Sequence, residues 1–140
     1  MRACTLRVAG QKGAAGAHEG ATMDATTGLA TPFLAGAKDV RELEDWGPLA
    51  EATGPSMATS GLTLWKEGDQ ESGIWECSPG PSRWLLETHE FVHILSGRMT
   101  VTRDGAESIV MGPGDTAIFA KGWSGVWEIT ETLRKLYVIF

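Results

Sequence analysis

Few residues of this chain have the types and spacing to do chemistry. Glu90 stands between two histidines, in His89-Glu90-Phe91-Val92-His93. A carboxylate placed in a strand can accept a proton, pair with a cation or ligate a metal ion. Strand alternation puts His93 on the face opposite Glu90, and His89 lies beside the strand start and can turn either way. Both histidines read as surface or interface groups, and His18, in a Gly- and Ala-rich stretch, reads as solvated. Near the C-terminus Lys135, Tyr137 and Ile139 share one face of an apolar run, with Arg134, Leu136 and Val138 on the other. Trp84, Trp123 and Trp127 offer flat faces that could stack a planar or cationic group, or simply fill a core. Cys77 has no histidine near it in sequence, so it reads as a small buried hydrophobe rather than a nucleophile. There is no phosphate-binding glycine loop, no CxxC pair and no GxSxG elbow.

The elements that must position these residues are strands. From Gly61 onward, short β-branched, aromatic and aliphatic runs alternate with turn clusters. The runs are Leu62–Lys66, Gly73–Cys77, Arg83–Leu86, Phe91–Leu95, Met99–Arg103, Ser108–Met111, Thr116–Phe119, Val126–Ile129 and Leu133–Ile139. Between them stand Ser78-Pro79-Gly80-Pro81, Ser96-Gly97, Asp104-Gly105, Gly112-Pro113-Gly114-Asp115 and Lys121-Gly122. Asp104-Gly105 suits a two-residue type I′ turn. Alternation sets Trp75 and Glu76 on opposite faces and turns Arg83 outward. Many short strands at such spacing predict an all-β sandwich or barrel.

The first 60 residues read differently. Residues 1–30 are rich in Ala, Gly and Thr without apolar periodicity, which predicts a flexible tail, and Met23 is an alternative start. Within residues 31–60, Asp39 and Glu42 have capping-box spacing ahead of Trp46, predicting a short helix ended by Gly47-Pro48; residues 50–60 read as linker. The 140 residues fit one domain, with residues 61–140 as the barrel. A net charge of -6 argues against nucleic acid or an anionic membrane as partner. Two distant cysteines, Cys4 and Cys77, argue against a disulfide framework, and no signal-like or membrane-spanning run is present. The expected location is the cytoplasm. So small a barrel would gain from burying a sheet face in a homodimer.

Two stretches carry a family resemblance. Glu90-Phe91-Val92-His93-Ile94-Leu95-Ser96-Gly97 resembles the second half of the first cupin motif, and Gly112-Pro113-Gly114-Asp115 with Phe119-Ala120-Lys121-Gly122-Trp123 resembles the second. Gly73–Gly80, Lys121–Glu128 and Leu133–Ile139 look like the third cupin family, which includes ureidoglycine aminohydrolase and ethanolamine-utilisation cupins. The resemblance covers roughly residues 60–140 and implies a small antiparallel double-stranded β-helix, the jelly-roll barrel of cupins.

It also implies a metal question. Cupins of the usual type hold a divalent ion with two histidines and a glutamate of motif one and a histidine of motif two. Glu90 occupies the glutamate position, but the histidine positions fall on Trp84, Leu86 and Gly125. None of these carries a ligand atom in its side chain, so no metal ligand is assigned and no cofactor is expected. Trp84, Leu86 and Glu90 would then project inward with Trp123 and Trp127 nearby. If the Lys135–Tyr137 face also points inward, Glu90 pairs with Lys135 or with Tyr137, since a buried carboxylate needs a partner. The implied function is binding of a small polar organic molecule in an aromatic-lined pocket of Trp84, Leu86, Glu90, Trp123, Trp127, Lys135 and Tyr137. One alternative is an aminohydrolase, isomerase or lyase using Glu90, with Lys135 or Tyr137, for proton transfer. Another is a structural or docking dimer.

Overall fold

A computed structural model describes residues 30–140; the tail expected over residues 1–30 lies outside them except for Ala30. The described chain forms one antiparallel sheet of eight strands: β1 (Glu44–Pro48), β2 (Ala58–Glu67), β3 (Gln70–Cys77), β4 (Gly80–Leu85), β5 (Glu90–Arg103), β6 (Ile109–Met111), β7 (Thr116–Phe119) and β8 (Ser124–Ile139). The sheet runs β1-β2-β3-β8-β5-β6, with β4 also on β8 and β7 also on β5. No described helix is long and apolar enough to cross a membrane.

Two long strands organise the rest. Along one edge β8 pairs with β5; along the other its first half pairs with β4 and its second half with β3. The free edge of β5 is divided in the same way between β7 and β6. Each long strand thus serves both halves of a sheet that rolls on itself. The inner face reads off the alternation: Gly125, Trp127, Ile129, Leu133, Lys135, Tyr137 and Ile139 of β8 are all buried, as are Glu90, Val92 and Ile94 of β5. Each fully buried large apolar side chain contributes roughly 1.5–3 kcal/mol.

Several expectations need correction. The runs Phe91–Leu95 and Met99–Arg103 are one strand, as are Val126–Ile129 and Leu133–Ile139. Ser96-Gly97 is therefore not a hairpin turn but a bulge in β5, where the pairing with β8 shifts between Ile94 and Ser96 and again to Arg98. Gly97 has φ 84°, and a Cβ there would run into the Thr132 carbonyl. The Asp104-Gly105 turn is not type I′, because only Gly105 has positive φ; Ala106 N–H donates to Arg103 O at 3.0 Å. By contrast Gly112-Pro113-Gly114-Asp115 closes as a turn, with φ 88° at Gly114 and Asp115 N–H donating to Gly112 O at 3.0 Å.

The short N-terminal helix is the largest departure. A single 3₁₀ turn, Ala37–Asp39, stops where Val40 takes φ -60° and ψ 123°, and Glu44–Pro48 is strand β1. Capping-box spacing lost to burial: Trp46 lays its ring on Gly61, whose missing side chain makes the room. Pro48 is tolerated because β1 is an edge strand. Nor are residues 50–60 a free linker. Ala52 bridges Ser82, Arg83 N–H donates to Glu51 O at 3.0 Å, and Met57 is fully buried.

Candidate functional site

Strand pairing brings the expected centre together. Lys135 lies opposite Trp75 of β3 and Ile94 of β5, while Glu90 heads β5 opposite Ile139 and Phe119. Their side chains meet inside the barrel: Lys135 Nζ donates to Glu90 Oε1 at 2.6 Å, with 0% and 1% of the side chains exposed. The Lys135 face of β8 therefore points inward, and Glu90 takes Lys135, not Tyr137, as its hydrogen-bond partner. The ammonium also lies 4.5 Å from the ring centroid of Trp75 and 4.5 Å from that of Trp127.

Around this pair stand the aromatic walls. Trp84 and Trp127 pack with centroids 4.6 Å apart. Trp84 Nε1 donates to Ser82 Oγ at 2.7 Å, and that hydroxyl donates to Trp127 O at 3.0 Å, so Trp84 is held at both its face and its edge. Leu86 is buried beside them. Trp123 is only partly buried; it lies in the loop between β7 and β8, edge-on to Phe119 at 5.1 Å and 6.2 Å from Trp127. That loop is tied to Leu86, whose N–H donates to Trp123 O at 2.9 Å and whose carbonyl accepts from Gly122 N–H at 2.8 Å.

Tyr137 belongs to a neighbouring cluster. Its hydroxyl donates to Glu71 Oε1 at 3.2 Å, and Thr63 Oγ1 donates to the same oxygen at 3.2 Å. Burial, and then the Glu71 carboxylate beside it, push the Tyr137 hydroxyl well above the usual phenol range. Sequence reasoning missed Glu71. The signal was there: Glu71, Gly73, Trp75 and Cys77 alternate onto one face, and β3 begins at Gln70, earlier than the apolar run suggested.

The remaining candidates fall outside the centre. His89 is exposed, and its Nδ1 accepts Lys121 N–H at 3.0 Å. His93 faces away from Glu90, between Thr116 and Leu136. Arg83 points outward into a two-pronged pair with Asp104 at 2.7 and 2.6 Å. Cys77 is buried, which pushes its thiol up to about 12. Glu76 lies on the outer face and accepts from Arg134 Nε at 2.7 Å.

A divalent ion does not fit this donor set. Trp84, Leu86 and Gly125 stand where histidines would be needed, and Lys135 already engages Glu90. Gly125 could not take a histidine without displacing its surroundings, because a Cβ there would run into the Thr102 carbonyl oxygen and come within 2.7 Å of the Trp123 ring. Among the described residues no three His, Cys, Asp or Glu side chains converge. Two buried polar atoms at the centre do lack a hydrogen-bond partner: the acceptor Glu90 Oε2 and the donor Trp127 Nε1.

Comparison with known proteins places this geometry. Residues 65–137 match the family model of the EutQ-like cupin domain. A Pseudomonas syringae pv. tomato protein of unknown function, from the DUF861 family, is similar with TM-score 0.66 and 21% identity, over 72% of this chain and 45% of that one. This chain thus spans less than half of that protein's length. A putative ethanolamine utilization protein Q from Salmonella typhimurium is similar with TM-score 0.56 and 23% identity, over 67% of this chain and 76% of that one. The Clostridium difficile EutQ protein gives TM-score 0.54 and 18% identity, over 65% and 76%. Identities this low show a shared fold alone. No protein of curated function matches the chain.

Proposed function

The chain belongs to the EutQ-like cupin family, and from that premise we propose that its barrel binds a small polar organic molecule without a metal ion. One observation carries the reading: Glu90 Oε2 is buried and has no partner, while its sister oxygen is held by Lys135. A buried acceptor left unpaired costs about 1–3 kcal/mol. An occupant that donates a hydrogen bond to Oε2 removes that cost. Trp127 Nε1 offers a donor with the same need, on a ring that packs against Trp84. Of Trp84, Trp123 and Trp127, Trp123 alone is partly exposed to solvent.

The test combines metal analysis with a ligand screen. Purified protein is expected to hold no stoichiometric Mn, Fe, Ni or Zn. Small hydrogen-bonding molecules are expected to raise its Tm, and the gain disappears in Glu90→Gln. A full complement of tightly held metal, or ligand gains that survive Glu90→Gln unchanged, would sink the proposal. Turnover of a bound molecule that falls in kcat with KM unchanged in a folded Glu90→Gln protein would instead establish Glu90 as an acid–base group.

A second reading concerns the outer face. Ile118, Phe91 and Val138 form a row in register across β7, β5 and β8, with Ile118 63% and Val138 39% exposed. A second copy of the chain is the occupant proposed for this row, because a small barrel gains proportionately more from burying a sheet face. Light scattering on Ile118→Lys separates the two cases: dimer lost, or mass unchanged from a wild type that was never dimeric.

A further inference from the structure

The middle of the barrel is a cation cage that the chain fills with its own side chain. One wall is Glu90 Oε1, 2.6 Å from Lys135 Nζ. Two more are the indole faces of Trp75 and Trp127, each with its centroid 4.5 Å from the same nitrogen. Lys135 is wholly buried there. We propose that Glu90, Trp75 and Trp127 form a binding site for a primary ammonium ion, and that Lys135 is its tethered occupant, supplying the positive charge that a metal ion would otherwise bring to Glu90.

The wall chemistry selects the ion. A divalent metal needs several oxygen, nitrogen or sulfur ligands, and this cage offers a single carboxylate and two π faces. Indole faces attract organic cations more strongly than any other side chain's ring. A guanidinium prefers a two-pronged hold on both carboxylate oxygens, whereas the seated cation reaches Glu90 through Oε1 alone. A quaternary ammonium has no N–H to give to Oε1. A primary ammonium satisfies all three walls with one hydrogen bond and two cation–π contacts. Trp75 stands directly across from Lys135 in the β3–β8 register, so the same pairing that builds the sheet delivers both the tether and one wall.

In the wild type a free ammonium cannot displace a tethered one already seated. Lys135→Ala removes tether and charge but leaves the three walls. This variant is expected to lose on the order of 10 °C in Tm, since one partner of a buried pair is gone. Methylammonium chloride at about 100 mM is expected to restore at least about 4 °C beyond the same concentration of sodium chloride. Tetramethylammonium is expected to do no better than sodium, and the wild type to respond to none of the three differently. Adding Glu90→Gln to the variant is expected to abolish the methylammonium gain. Equal responses to sodium and methylammonium, or a gain that persists with Glu90→Gln, would overturn the site. Should Lys135→Ala not fold, proton NMR of the wild type decides. Stacking between two indoles shifts the Lys135 ε-methylene protons upfield, and resonance at the position of solvent-exposed lysines overturns the proposal.

Discussion

Glu90 and Lys135 are each tolerable only because of the other. Two charges with almost none of their side-chain surface in water carry desolvation costs of several kcal/mol apiece, which only a close partner offsets. Removing one partner strands the other, so Glu90→Gln or Lys135→Met alone is expected to cost about 3–5 kcal/mol. The double variant replaces the pair by groups of similar volume that need no counter-charge, and is expected to cost less than either single change. Urea unfolding of all four proteins checks this. Additive losses would mean that the two side chains do not depend on each other. The neighbouring positions are packed with groups that carry no metal-ligand atom: Trp84 stacks on Trp127, and Gly125 leaves its space to Trp123. Gly125→His is therefore expected to disturb Trp123 and lower stability by about 1–3 kcal/mol, as overpacking does. It is not expected to create a zinc site, which calorimetric titration with zinc would reveal.

At the scale of elements, what the sequence disclosed depended on how local the cause was. Alternation along Leu133–Ile139 placed Lys135, Tyr137 and Ile139 on one face, and β8 keeps that face inward. Proline and glycine at 112–115 fixed a turn through φ alone. Two things were out of reach. Whether Gly97 turns the chain or merely bulges it depends on β8 running alongside, a neighbour some 35 residues away, as Gly97 and Thr132 lie against each other. Whether residues 39–46 coil or extend depends on Gly61 offering Trp46 a seat. Glu71 was missed for a related reason, since its polar character hid a strand that continues inward past Gly73. The N-terminal segment shows the same non-local control. Arg134, on the outer face of β8, donates from Nη1 to the carbonyls of Val40, Lys38 and Ala37 at 2.6, 3.0 and 3.2 Å while its Nε holds Glu76. One guanidinium thus straps the 3₁₀ turn to the sheet. Hydrogen bonds to a charged group contribute about 1.5–3 kcal/mol. Arg134→Ala is accordingly expected to speed tryptic cleavage after Lys38 and Arg41 by about tenfold or more, with the barrel intact by circular dichroism. Unchanged cleavage would show that the strap is held by something else.

Over the whole molecule, the buried acids of the core set how stability responds to alkali. Burial pushes the Cys77 thiol from 9.0 up to about 12, and burial with Glu71 pushes the Tyr137 hydroxyl up as well. Both groups hold their protons in the native barrel at a pH where the unfolded chain has released them. The native state then binds more protons than the unfolded state, so stability falls as pH rises. Their contribution is fully present below about pH 9, where even the unfolded thiol is protonated, and for Cys77 it is lost progressively up to about pH 12. A chain already at net charge -6 near neutrality gains further negative charge over the same range, which adds to the decline. The urea midpoint is expected to stay level from pH 7 to about 9 and then to drop steeply. Cys77→Ala separates the two causes, because it removes the thiol but not the general charge. It is expected to start lower, from the small cavity it leaves, and to decline less between pH 9 and 12. The chain has a single tyrosine, so phenolate absorbance reports Tyr137 alone. In native protein it is expected to stay absent at pH 10, where free tyrosine is half ionised, and to appear only as the barrel unfolds. Parallel stability profiles for wild type and Cys77→Ala, or phenolate absorbance before unfolding, would show that these protons are not held by the closed core.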